Sequence, residues 1–159
     1  MSDQPSPIVL AAGEGHARLW GLGSTMTAKL TGAETGGAVG LTQMRAVAGE
    51  RAPRHIHTRE DEIFIIVGGE VTVSAAEHTQ LLGPGGVAFL PRGIPHAYQV
   101  HDGGAEVLIM TVPGGFERFF ITAGFPASES DGAPVGKNWS VDRTIQIAEQ
   151  LDLGITWLK

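Results

Sequence analysis

At 159 residues the chain is long enough for a single domain with its own apolar core. It has no cysteine, which excludes disulfides, thiolate ligands and cysteine nucleophiles together. With 11 Lys and Arg against 17 Asp and Glu, the formal charge is -6 and no basic cluster is available to neutralise a nucleic-acid backbone.

Residues 1–7 hold two prolines among polar residues and are expected to be a mobile, unpaired start without the basic and apolar segments of a secretory signal. No apolar run approaches the ~20 residues needed to span a bilayer, so a cytoplasmic protein is the expectation. From Ile8 to Leu30, short strands are broken by glycines at 13, 15, 21 and 23, and His16 is expected in a turn or at the surface. TGAETGG, residues 31–37, is a turn by composition. A strand follows over residues 38–47, with Val39, Leu41, Gln43, Arg45 and Val47 alternating with Gly40, Thr42, Met44 and Ala46. The face carrying Thr42 and Met44 is the expected inner one, because an inward Arg45 would need a partner when buried.

In the stretch from Gly49 to Gly69, His55 and His57 are one residue apart, so both imidazoles leave an extended strand on the same face. Glu62 stands at an odd offset from them and can join them only if a turn intervenes. Thr58, Arg59, Glu60 and Asp61 supply one by composition. Glu62 then opens the strand EIFIIV, apolar on both faces, with Phe64 and Ile66 on the side of Glu62. The nearby Arg45, Arg51, Arg54 and Arg59 are interleaved with Glu50, Glu60 and Asp61 and read as solvated strand ends and turns.

Residues 70–82 read as a hairpin turning near Glu77 and His78. From Gly85, a short strand Val87 to Leu90 leads into the PRGIP turn, and His96 opens HAYQV, in which His96, Tyr98 and Val100 share a face. His101 and Asp102 are expected to begin a turn, HDGG, and Glu106 to Val112 forms the last clear strand. Phe116, Phe119 and Phe120 lie at i, i+3 and i+4, one face of a short helix whose expected role is packing. PASESDGAPV, from Pro126 to Val135, is an expected surface loop. Ser140 is placed to cap a helix from Val141 to Leu151 that Gly154 can end. Asn138, Trp139 and Ser140 match a glycosylation acceptor, which without an export signal is a chance match.

If the face of His96 lines the same interior as His55, His57 and Glu62, three neutral nitrogens and one carboxylate oxygen meet, a donor set for a divalent first-row transition metal with positions left open. The spacing G-x5-H-x-H-x4-E-x6-G from Gly49 to Gly69, then G-x5-P-x-G-x2-H from Gly85 to His96, resembles the cupin superfamily. Gly49, His55, His57, Glu62, Gly69, Gly85, Pro91, Gly93 and His96 meet the fixed positions, and residues 70–84 match the short spacing of bacterial members. One position departs: the second motif usually ends in Asn, and here Val100 stands there.

The resemblance implies an all-β, single-domain cupin jelly-roll barrel with short C-terminal helices, which the run of short strands and Gly/Pro turns also suggests. Its expected organisation is a start at 1–7, a barrel over 8–125 bearing the motifs at 49–69 and 85–100, and a linker with a terminal helix over 126–159. The layout is similar to small bacterial cupins of the quercetin-dioxygenase-like kind. That likeness implies one divalent metal per chain (Fe, Mn, Ni, Co, Cu or Zn) on His55, His57, Glu62 and His96. Glu62 would serve as both ligand and catalytic proton acceptor. The expected wall around it, Met44, Phe64, Ile66, Tyr98 and Val100, suits a small aromatic or polyphenol substrate. A Lewis-acid isomerase or decarboxylase and a non-catalytic binding module remain open at this stage. The apolar outer face of EIFIIV fits a homodimer, with no nucleic-acid or membrane partner expected.

Overall fold

The computed structural model describes residues 4–126 and 139–159. The Asn138 part of the acceptor match and nearly all of the 126–135 loop lie outside the described residues. Ten strands and two helices follow one another as β1 (His16–Trp20), β2 (Ser24–Leu30), β3 (Gly40–Ala46), β4 (Arg51–His57), β5 (Asp61–Ala75), β6 (His78–Leu82), β7 (Val87–Leu90), β8 (His96–Val112), α1 (Glu117–Ala123), β9 (Phe125–Pro126), α2 (Val141–Gln150) and β10 (Ile155–Trp157).

All strand pairings are antiparallel. The hydrogen-bonded path runs β10-β4-β8-β3-β2-β1-β9, while β5 joins β8 and carries β6 and β7. The sheet curls into a jelly roll without closing on itself. Period-two alternation sets its inner face. Gly40, Thr42, Met44 and Ala46 of β3 are buried, whereas Gln43 and Arg45 face out toward Glu106. On β5, Glu62, Phe64, Ile66, Val71 and Val73 point inward. These side chains join those of Trp20, Met26, Val100, Val107 and Ile109 in one core.

β8 departs from the sequence expectation. HDGG forms no reversal, and residues 96–112 run as one 17-residue strand. Its first part pairs with β4 and its last with β3, while β5 follows its other edge. The slack is absorbed by a bulge, since Val71 opposes Val100 and Gly69 opposes Ala105. Glycine makes the bulge possible. Gly69 has φ +74°, and a Cβ there would stand 2.1 Å from the carbonyl oxygen of Gly104, itself at φ +76°. A second departure is β10, which pairs with β4 beside the two histidines. Three residues following the stop of α2 at Gly154 carry too little pattern to read as a strand.

Helix α1 is held against the sheet by its first residue. The Glu117 carboxylate, 2% exposed, accepts from the backbone N–H of Gly32 at 2.6 Å and of Gly115 at 2.8 Å. Helix α2 starts as expected, with the Ser140 hydroxyl accepting from Arg143 N at 3.1 Å. Among the described residues no helix is long and apolar enough to cross a membrane. Glu117→Ala would strand the buried N–H donor of Gly32 at about 1–3 kcal/mol, and the part-buried one of Gly115 at less. Urea unfolding should show a correspondingly lower free energy, and a stability equal to the unmodified chain would refute the anchoring role.

Candidate metal centre

Four motif residues, His55, His57, Glu62 and His96, meet at one point inside the jelly roll. β4 presents His55 and His57 on its inner face. The chain then turns through residues 58–60 and re-enters as β5 with Glu62 at its second position. The turn is held from outside, because Thr58 N donates to Gly154 O at 3.0 Å and Arg59 meets Asp152 at 2.6 Å. His96 opens β8 opposite His55, and the preceding turn is anchored where Gly93 N donates to His57 O at 2.7 Å. All four side chains are buried, at 1–6% exposed, and one donor atom from each lies within 4.8 Å of every other.

Each imidazole is oriented through its far nitrogen. Nδ1 of His55 donates to the Pro53 carbonyl at 2.7 Å, Nδ1 of His96 to the Ile94 carbonyl at 3.0 Å, and Nδ1 of His57 to the Glu60 carboxylate. With Nδ1 bearing the proton, Nε2 is left to present a lone pair inward. Nε2 of His55 and of His57 lie 3.1 Å apart. Nε2 of His96 is 3.2 Å from a Glu62 oxygen yet has no partner at hydrogen-bond geometry. Facing lone pairs at that range need a proton or a cation between them. Two donors on one ion at about 2.1 Å each stand at most about 4.2 Å apart, so the cluster needs only slight contraction to fit a metal.

The electrostatics follow from burial and these contacts. Burial, reinforced by the neighbouring His96 and His57, pushes His55 down to about 4. Burial alone would also depress His57, but the hydrogen bond to Glu60 and the charges of Glu62 and Glu60 outweigh it and raise His57 above its ordinary value. Glu62 would be raised by burial, yet the surrounding imidazoles, His96 first, hold its carboxyl below the usual range. Glu62 is thus an anion facing nitrogen donors.

Above the cluster lies an open-mouthed cavity. Its wall is aromatic: Trp20, Phe64, Tyr98, Phe116, Phe119, Phe120, Trp139 and Trp157, with Arg51 also lining it. The Phe116 ring stands edge-on to His57 at 4.5 Å between centroids, and Trp157 lies 5.2 Å from His55. The Tyr98 hydroxyl donates to Met44 Sδ at 3.6 Å, and burial pushes its phenol well above the usual range.

Of the five wall residues expected from the sequence, Phe64 and Tyr98 line this cavity, whereas Met44, Ile66 and Val100 do not. These three lie in the core. Ile66 is four residues past Glu62 and Val100 four past His96, about 13 Å along their strands, and Tyr98 stands between Met44 and the open space. Sequence reasoning missed Glu60, which it placed in a solvated turn but which is 5% exposed and bonded to His57. The available signal was its spacing, a carboxylate three residues beyond a ligand-type histidine. It also missed Trp20, Trp139 and Trp157, which belong to no motif, and ranked packing above a lid across the barrel mouth for Phe116, Phe119 and Phe120.

Fold and site together define a β jelly roll with a buried three-histidine, one-glutamate cluster at the base of an aromatic cavity. Residues 43–113 of the chain match the cupin domain family. The chain is quercetin-dioxygenase-like, being 24% identical over 128 residues to quercetin 2,3-dioxygenase of Bacillus subtilis (strain 168), across 80% of this chain and 38% of that protein. It is also 31% identical over 85 residues to the quercetin 2,3-dioxygenase of Aspergillus japonicus, across 50% of this chain and 24% of that one. The chain therefore spans well under half the length of these relatives. KdgF from Halomonas sp. shares the fold, with a TM-score of 0.64 at 17% identity over 71% of this chain and 99% of that one.

The titration of His57 sets a test. As pH falls through its raised value the metal-free His57 gains a proton that a metal must displace, whereas His55 resists protonation until about pH 4. Metal affinity, measured by chelator competition, should rise about tenfold per pH unit below the His57 value and level off above it. Glu60→Ala should weaken it by about 10–100-fold at neutral pH and move that break to lower pH. Unchanged affinity and an unmoved break would remove Glu60 from the site.

Proposed function

We propose that the protein holds one divalent first-row transition metal on His55, His57, Glu62 and His96 and oxygenates a small aromatic or polyphenol substrate of the flavonol kind. The observation that carries this reading is the convergence of three ε-nitrogens and one carboxylate on the base of a cavity whose walls are aromatic. Likeness to two quercetin 2,3-dioxygenases supports the same substrate class. A metal bound there would supply open coordination positions, and with them redox or Lewis-acid chemistry, beside the substrate.

The chain's own residues account for the rest. The aromatic wall receives a flat ring edge-on and face-on and expels water from around it. Among the described residues lining the cavity Glu62 is the only carboxylate, and it is ionised at neutral pH. It can therefore accept the proton of an acidic substrate hydroxyl at its Oε2 atom, in addition to serving as a ligand. Trp20, Phe119 and Phe120, packed edge to face at 5.2 Å, give the pocket a firm side against which a ring is oriented.

Purified protein should carry close to one transition metal per chain by elemental analysis, and His57→Ala and His96→Ala should each lose it. Full occupancy in both variants would overturn the ligand assignment. Oxygen uptake should occur with flavonols in at least one of the Fe, Mn, Co, Ni and Cu forms. Binding without uptake in every form would replace the oxygenase with a Lewis-acid enzyme or a binding module.

The proposal extends to a cytoplasmic homodimer formed through the outer face of β5 and β7. Ile63, Ile65 and Val67 point outward there beside Val87 and Phe89, which are 58% and 60% exposed. Light scattering should give twice the chain mass, and Phe89→Lys should return it to one chain. A monomer at working concentration would refute the interface.

A further inference from the structure

We propose that the Tyr98 hydroxyl is the hydrogen-bond donor that recognises an oxygen of the substrate, and that Met44 holds this donor in reserve while the cavity is free. The inference deepens the aromatic-substrate reading above and rests on it.

Tyr98 follows His96 by two residues on β8, so the two side chains leave the same face of the strand about 6.6 Å apart along it. Phe64 follows Glu62 on β5 in the same way, and the Phe64 and Tyr98 rings pack edge to face at 5.5 Å. The pair forms the first course of wall beside the His/Glu cluster, and both border the cavity. A ligand oxygen close to that cluster therefore lies beside the Tyr98 ring, whose hydroxyl meets it by turning away from Met44.

The phenol's present partner is a poor one. It donates to Met44 Sδ at 3.6 Å, a thioether and a weak acceptor, and among the described residues it has no other acceptor. Of the two hydroxyls on the wall, that of Thr144 is committed more firmly, donating to Val141 O at 2.7 Å, and the His55 and His57 Nδ1 atoms are tied to Pro53 and Glu60. The indole Nε1 of Trp139 is a further buried donor without a partner. Tyr98 is the hydroxyl that loses less by turning to a carbonyl or phenolic oxygen, and it gains by exchanging sulfur for oxygen.

Met44 also shapes selectivity. Because the sulfur keeps the hydroxyl partnered, a ligand without an oxygen at this point does not leave an orphaned donor behind, so discrimination against it is modest. Replacing the sulfur with an isosteric hydrocarbon should leave the hydroxyl unpartnered in the free protein and sharpen its demand for an oxygen.

Quercetin binding to the zinc-loaded protein, where zinc has no redox chemistry to turn the ligand over, tests this by calorimetry in four forms. Relative to the unmodified protein, Tyr98→Phe should bind about tenfold more weakly. Met44→Leu should bind severalfold more tightly, and Met44→Leu in the Tyr98→Phe background should change nothing. Zinc stoichiometry and thermal midpoint check each variant's fold, and Met44→Leu alone decides the matter if Tyr98→Phe does not fold. Unchanged affinity in Tyr98→Phe, no tightening in Met44→Leu, or the same Met44→Leu effect with and without the hydroxyl would each overturn the inference while leaving the flavonol reading intact. Failure of the unmodified zinc protein to bind quercetin would overturn the flavonol reading, and this inference with it.

Discussion

The site depends on hydrogen bonds made at the far side of three rings. An imidazole on a strand can rotate about two side-chain torsions, so the two-residue spacing of His55 and His57 brings their rings to one region without aiming their nitrogens. The aim comes from Nδ1, tied by Pro53 and Ile94 carbonyls in two cases and by the Glu60 carboxylate in the third. Those acceptors sit within three residues of the histidines they hold. Each ligand-bearing segment thus orients its own imidazole, and the fold needs only to bring the segments together.

Bringing them together is the work of β5 and β8, the two longest strands. Each crosses the whole jelly roll and carries an inward ligand near its start, Glu62 on one and His96 on the other. A charged residue at such a position would ordinarily be expelled from an apolar interior. Glu62 can stay where a proton or a cation is shared between it and the facing Nε2 atoms, and the imidazoles stay because their outer nitrogens are satisfied. Removing one member leaves the others buried and unmatched, which makes the cluster all-or-none and explains why the apolar wall can approach it so closely.

The parts legible in the sequence were those whose geometry is local. His55 and His57 share a face because strands repeat every two residues, Glu62 needed only a four-residue turn, and Pro91 and Gly93 marked the bend before His96. The strand β7 and the cap of α2 at Ser140 were equally local and equally readable. Features set by distant neighbours were not. The run HDGG has turn composition, yet the pairing of residues 96–100 and 105–112 on either side of it leaves 101–104 as an unpaired bulge within one strand. Ile66 and Val100 share the inward faces of Glu62 and His96, but a face read from alternation carries no depth, and both fall below the cavity. Glu60 reads as a solvated turn residue until the turn folds back over His57.

The C-terminal segment shows how far the site extends beyond its motifs. Residues 43–113, the part matched to the cupin domain, contain all four cluster residues and the three acceptors that their Nδ1 atoms meet. They contain only half of the residues that line the cavity. Phe116 caps α1 and Phe119 and Phe120 lie on it, and Trp139, Val141, Thr144, Ile155 and Trp157 come from the last stretch of chain. That stretch also pairs β10 with β4 at His55, Ile56 and His57, and lays Trp157 against the His55 ring. The same strand therefore closes the pocket and braces the ligands, so a change in how the C-terminal segment packs is felt by the imidazoles directly. The buried cluster thus belongs to the matched domain, and the segments that follow it supply nearly half of the cavity wall.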